Sequence, residues 1–102
     1  MEAIAMTMKL IVGREYLADP IFCPDSQYMG HVDVNDLPIS HDLKEKIQEW
    51  NDEYQATFDT DYPPDSAFKS PQLETAHIEK GSELVKRLQM ELGDRYIVDY
   101  NP

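Results

Sequence analysis

Five apolar residues, Leu43, Ile47, Trp50, Tyr54 and Phe58, recur at steps of four, three, four and four. That spacing places them on one side of a 3.6-residue helix, and it constrains the fold more than any other feature of the chain. Ser40, just after Pro38, is positioned to cap the helix, and Asp42 in the first turn suits its positive end. Pro63 and Pro64 forbid continuation. The pattern therefore predicts a helix over residues 41–58, followed by a connecting loop over 59–69. The opposite face carries Glu45, Gln48, Glu49, Asp52 and Glu53, so the helix must lie on a core with an acidic side in water.

A second helix is predicted over residues 71–92. Ser70 is its cap, and Pro71 takes the first helical position, where a missing amide proton costs nothing. Ile78, Gly81, Val85, Leu88 and Leu92 fall on one face, widened by Leu84, and Gly93 stops the helix. Its length would be about 33 Å at 1.5 Å per residue, and Gly81 is placed to bend it. Glu79, Glu83, Lys86 and Arg87 can meet at three- or four-residue spacing.

Two strands frame these helices. Residues 7–13 (TMKLIVG) have β-branched and apolar density closed by glycine, and residues 96–100 (YIVDY) form the last run. Between residues 14 and 38, Pro20, Pro24, Gly30 and Pro38 interrupt every period, so this stretch reads as an ordered loop with at most one edge strand over 29–34. The element order predicts an α+β fold: a small two-layer sandwich of two to three β-strands with two amphipathic helices, the first and last strands pairing at the sheet centre. A length of 102 residues with 41% hydrophobic content supports one domain, 1–102, and no second core.

No apolar run exceeds four residues, too short for a membrane helix, and the first eight residues lack the basic start and long apolar stretch of a signal peptide. A cytoplasmic location is expected. The single cysteine, Cys23, excludes an internal disulfide framework.

The charge is regional. Residues 15–65 hold thirteen carboxylates against only Lys44 and Lys46, which accounts for the whole net charge of −11. Such a surface repels nucleic acid and attracts basic protein. Aromatics are interleaved with the acids at Tyr28, Tyr54 and Tyr62. Tyrosine beside carboxylate suits an interface that grips basic side chains.

No catalytic or metal-binding signature accompanies this charge. Asp59, Asp61 and Asp65 have the opening spacing of a calcium loop, yet Pro64 stands where the turn glycine is needed and Ser70 where the bidentate acid is needed. His31, His41 and His77 fall on different elements without paired spacing, and His77 is expected at an interior or boundary position. Acidic surroundings suppress a Cys23 thiolate, so Cys23 reads as a buried apolar group. The four glycines are too scattered to cradle a phosphate. The chain is therefore expected not to be an enzyme and to need no cofactor and no metal.

The run Val34-Asn-Asp-Leu37-Pro-Ile-Ser40, then Trp50 and Tyr54, Ser66 and Phe68, Gly81 with Leu84 and Leu88, Glu91-Leu92-Gly93 and Tyr96-Ile-Val98 resembles a family of small acidic bacterial proteins. These are similar in size and charge to the immunity proteins of contact-dependent growth inhibition and related toxin systems. The chain departs from the family pattern after Pro24, where Asp25-Ser26-Gln27 precede Tyr28 in place of a closer aromatic. The resemblance implies a toxin-neutralising immunity protein whose partner is a basic bacterial toxin domain, a nuclease, with neither nucleic acid nor membrane as partner. The candidate partner-binding residues are Asp25, Tyr28, Asp33, Asp36, Glu49, Asp52, Glu53, Asp59, Asp61, Tyr62 and Asp65. The competing reading is a small acidic housekeeping or structural protein without a toxin partner, as a homodimer. Oligomeric state is not legible at this level.

Overall fold

A computed structural model describes residues 7–25, 29–63 and 66–102. Strand β1 (Met8–Gly13) is followed by β2 (Ile21–Cys23), β3 (Gly30–His31), a 3-10 turn (Val34–Asp36), helix α1 (His41–Gln55), helix α2 (Pro71–Leu92), a second 3-10 turn (Gly93–Arg95) and β4 (Tyr96–Asn101). The fold is α+β, with a four-stranded mixed sheet in the order β3-β2-β1-β4. The expected two to three strands are therefore one short. The short run Ile21–Cys23, bracketed by Pro20 and Pro24, pairs antiparallel with β1. Its three residues are too few to show a period, and the flanking prolines make it read as loop. The anticipated strand over 29–34 shrinks to Gly30 and His31, because Val34 already begins the 3-10 turn.

The first and last strands do pair, in parallel, with Met8 opposite Tyr96 and Val12 opposite Tyr100. However, β4 forms an edge of the sheet, since β2 and β3 occupy the other side of β1. Strand alternation decides which face is covered. Leu10, Val12, Ile21 and Cys23 are buried and join Leu43, Ile47, Trp50, Leu84, Leu88 and Leu92 in one core. Their neighbours Lys9, Ile97 and Asp99 are exposed on the opposite face.

Both helix caps form as their residues require. The side chain of Ser40 accepts from the Leu43 amide at the start of α1, and that of Ser70 accepts from the Leu73 amide at the start of α2. Helix α1 ends at Gln55, three residues before the expected limit. There the Thr57 and Phe58 amides turn to the Tyr54 and Gln55 carbonyls, and the Thr57 hydroxyl also donates to Tyr54 O. Phe58 still packs inward, against Tyr16 at 5.1 Å between ring centroids.

Gly81 has a different role from the bend anticipated for it. It is buried where α2 crosses α1, and a Cβ there would fall at 2.5 Å from the Trp50 ring and collide with the Tyr100 hydroxyl. Glycine is required by this close approach of α2 to a large ring. Trp50 itself is 1% exposed and binds α2 reciprocally: its indole Nε1 donates to His77 O at 2.8 Å, while Trp50 O lies 2.7 Å from His77 Nε2. The two rings stack 4.7 Å apart.

Candidate partner-binding surface

The exposed side of α1 and the 3-10 turn before it form one acidic face. The turn is fixed by Asp33, whose carboxylate accepts from the Asn35 amide at 2.9 Å, and Lys44 Nζ ties it to α1 by donating to Asn35 O at 3.2 Å. Asn35, Glu45, Gln48, Glu49 and Asp52 line a shallow groove of about 320 Å³ along this seam, together with His41, which pairs with Glu45, and Lys44. Asp33 and Asp36 flank Asn35 in the turn. Four sequence candidates, Asp33, Asp36, Glu49 and Asp52, are thus brought together and exposed.

The other candidates are distributed elsewhere. Glu53 is exposed but turns toward α2, where it forms an ion pair with Lys80 at 2.7 Å. Asp59 is half-buried, and its carboxylate accepts from the Asp61 and Tyr62 amides at 2.9 and 3.0 Å, shaping the loop that displays Asp61 and Tyr62. Tyr62 is 57% exposed. Asp25 is half-buried just after β2. Tyr28 and Asp65 lie outside the described residues.

Several acids lack a cationic partner among the described residues, Asp19, Glu79 and Asp94 among them, and what sets Asp33, Asp36, Glu49 and Asp52 apart is that they share one face. Among the described residues no cation lies within ion-pairing distance of Asp33, Asp36, Glu49, Asp52, Asp59 or Asp61. Acids that hold the fold are treated differently. Glu91, near the end of α2, accepts from the Ser40 amide at 2.6 Å and the Ser40 hydroxyl at 2.9 Å, so it sits against the N-terminus of α1. Arg87 bridges it to Asp42, at 3.0 and 2.8 Å. The Ser40 amide holds the Glu91 carboxyl below its ordinary range, and the Arg87 guanidinium does the same for Asp42.

The interior ionisable groups support structure. Burial lowers the His77 pKa, and Nε2 must carry its proton to face the Trp50 carbonyl, which leaves Nδ1 buried without a partner among the described residues. Burial likewise raises the Tyr54 and Tyr100 hydroxyls. Cys23 is buried in β2, as anticipated from its acidic surroundings.

Two features were not singled out in the sequence. Glu15 and Asp19 border a cavity of about 580 Å³ with His31, on a loop that projects Leu17 into solvent. An apolar cavity of about 540 Å³ also opens between the end of α1 and the start of α2. Their common signal is the cation-free run of residues 15–43 and the alanines at 56, 67 and 76, but neither pattern specifies a concave surface.

The α+β frame with an uncompensated acidic face accords with a family match. The chain belongs to the family described as Serratia CdiI immunity protein-like, whose model matches residues 8–102. The expected kinship with immunity proteins of contact-dependent growth inhibition is thereby met. No curated protein matches the chain. Among the described residues no helix is long and apolar enough to cross a membrane.

Proposed function

We propose that this chain is a cytoplasmic, non-enzymatic immunity protein that neutralises a basic toxin domain by covering its active site with the acidic face of α1 and the preceding turn. Membership of an immunity-protein family supports the role. The observation that carries the choice of surface is the set of carboxylates without cationic partners, centred on Asp33, Asp36, Glu49 and Asp52. An ion pair within the fold would have cancelled their field; left open, it steers a positively charged partner and accelerates encounter. A nuclease fits this field best, because an enzyme that holds phosphates presents cations around its reacting centre, and a carboxylate face occupies the same positions. Tyr62 and the loop acids extend the contact as an aromatic anchor with a polar rim.

The test first seeks a toxin domain encoded by the neighbouring gene and then uses that purified domain. Association measured by stopped flow should slow as salt is raised, and converting Glu49 and Asp52 to lysine should reduce the rate at low salt roughly tenfold or more while flattening that dependence. An unchanged rate and an intact block of toxin activity would remove this face from the interface.

A further inference from the structure

The end of α1 carries both a socket and a projecting knob. The socket is the cavity of about 540 Å³, walled by Ala56, Ala67, Phe68, Leu73 and Ala76. Its volume and apolar lining are those of a binding site. Lys69 and Lys80 stand at its border; Lys80 is paired with Glu53, and Lys69 has no partner among the described residues.

The knob is Leu17. Its φ of 61° lies in the left-handed region, which a leucine rarely adopts. Its side chain is 81% exposed. The loop is nevertheless held firmly: Gln55 Nε2 donates to Glu15 O and Gln55 Oε1 accepts from the Leu17 amide, both at 2.8 Å, while the Tyr16 hydroxyl bonds Thr57 Oγ1 at 2.5 Å. These bonds fix a leucine in water between two acids, Glu15 and Asp19, where the fold of one chain gains no burial from it.

Knob and socket match. One is apolar with two carboxylates beside it, the other apolar with two lysines beside it. Both are built on residues 55–57: Gln55 and Thr57 hold the loop, and Ala56 and Thr57 line the cavity. A basic toxin would meet cations at this socket, whereas the Leu17 loop of a second copy brings Glu15 and Asp19 to them, a local match set against the general repulsion between two acidic chains. We infer that two copies of this chain associate through this end of α1, with Leu17 of each entering the socket of the other and Glu15 and Asp19 meeting Lys69 and Lys80. A twofold axis lets both contacts form together. The acidic face at Asp33, Asp36, Glu49 and Asp52 remains free, so this inference does not depend on the toxin reading.

Sedimentation of the full chain from micromolar to millimolar concentration tests it. Wild type should show a reversible monomer–dimer equilibrium. Leu17→Ser, which removes the knob, and Ala76→Trp, which fills the socket from an exposed position, should each weaken it tenfold or more with unchanged far-ultraviolet circular dichroism. An equimolar mixture of the two variants should partly recover the heavier species, because it retains one intact knob and one intact socket. Should Ala76→Trp disturb the helices, Lys69→Glu, at an exposed and unpaired position, supplies the same test by repulsion. A wild type that stays monomeric at every concentration overturns the inference, as does a dimer indifferent to these variants. If wild type is monomeric and Ala76→Trp instead weakens toxin binding, the socket belongs to the toxin.

Discussion

The seam between the two helices and the outer face of α1 treat polar groups in opposite ways. In the seam, Trp50 and His77 exchange hydrogen bonds, and Ser40, Asp42, Arg87 and Glu91 form one closed network. On the outer face, Glu49 and Asp52 meet no cation among the described residues. A fold gains from charges it can pair, whereas a group of like charges left in water adds little to its stability. The paired seam serves the fold, and the unpaired face is the one proposed above to meet a partner. The difference also bears on experimental controls: Glu91 looks like any other acid of the balanced helix, but reversing it would break its bonds to the Ser40 cap and to Arg87, so Glu79 and Glu83 are the proper comparison for α1.

The sharpest way to break this distinction is to attack the seam. Trp50→Ala should cost about 3 to 5 kcal/mol, because it removes the largest fully buried side chain together with the indole's hydrogen bond to the His77 carbonyl. Chemical denaturation reads this directly. A melting temperature within a degree or two of wild type would show that α1 is not anchored through this ring. Gly81→Ala should follow, at about 1 to 3 kcal/mol, since the added methyl must displace the Trp50 ring or the Tyr100 hydroxyl. A neutral or stabilised variant would mean that α2 can move away from α1 without loss.

The outer face should respond in reverse. Converting Glu49 and Asp52 to lysine should leave stability within about 0.5 kcal/mol, the usual range for surface changes, while slowing association with the toxin. The same reversal at Glu79 and Glu83 should alter neither strongly. Equal binding losses from both pairs would show that only total charge matters.

The smallest expected effect concerns acid. Glu91 and Asp42 have lowered pKa values in the folded chain. Their contribution is therefore fully present above the unfolded carboxylate range near pH 4, and it is lost as pH falls through the folded values. His77 acts in the same direction at higher pH: its folded pKa lies below the ordinary 6.5, so the unfolded chain takes up the proton first and stability declines as pH drops below that value. Glu91→Gln should flatten the acid limb of a stability–pH curve, and His77→Gln the limb just below 6.5. Parallel curves for wild type and variants would remove these groups from the linkage.

The sequence by itself determined both helices, their caps, the pairing of the first and last strands though neither its direction nor the edge position of β4, the buried positions of Trp50, Cys23 and His77, and the regional acidity. Each depends on local chemistry: a 3.6-residue period, a hydroxyl before a helix, a proline that cannot donate, or a count of charges. Tertiary structure alone decided that Ile21–Cys23 is a strand, because three residues acquire that conformation only from the ladder offered by β1. It also decided that Gly81 makes room for a ring on another helix. Finally, it sorted acids that looked alike along the chain, pairing Glu53 with Lys80, turning Asp59 into its own loop, and leaving Asp33, Asp36, Glu49 and Asp52 open. Distances of a few ångströms determine whether a carboxylate is paired within the fold or left open, and those distances are set by packing between segments far apart in sequence.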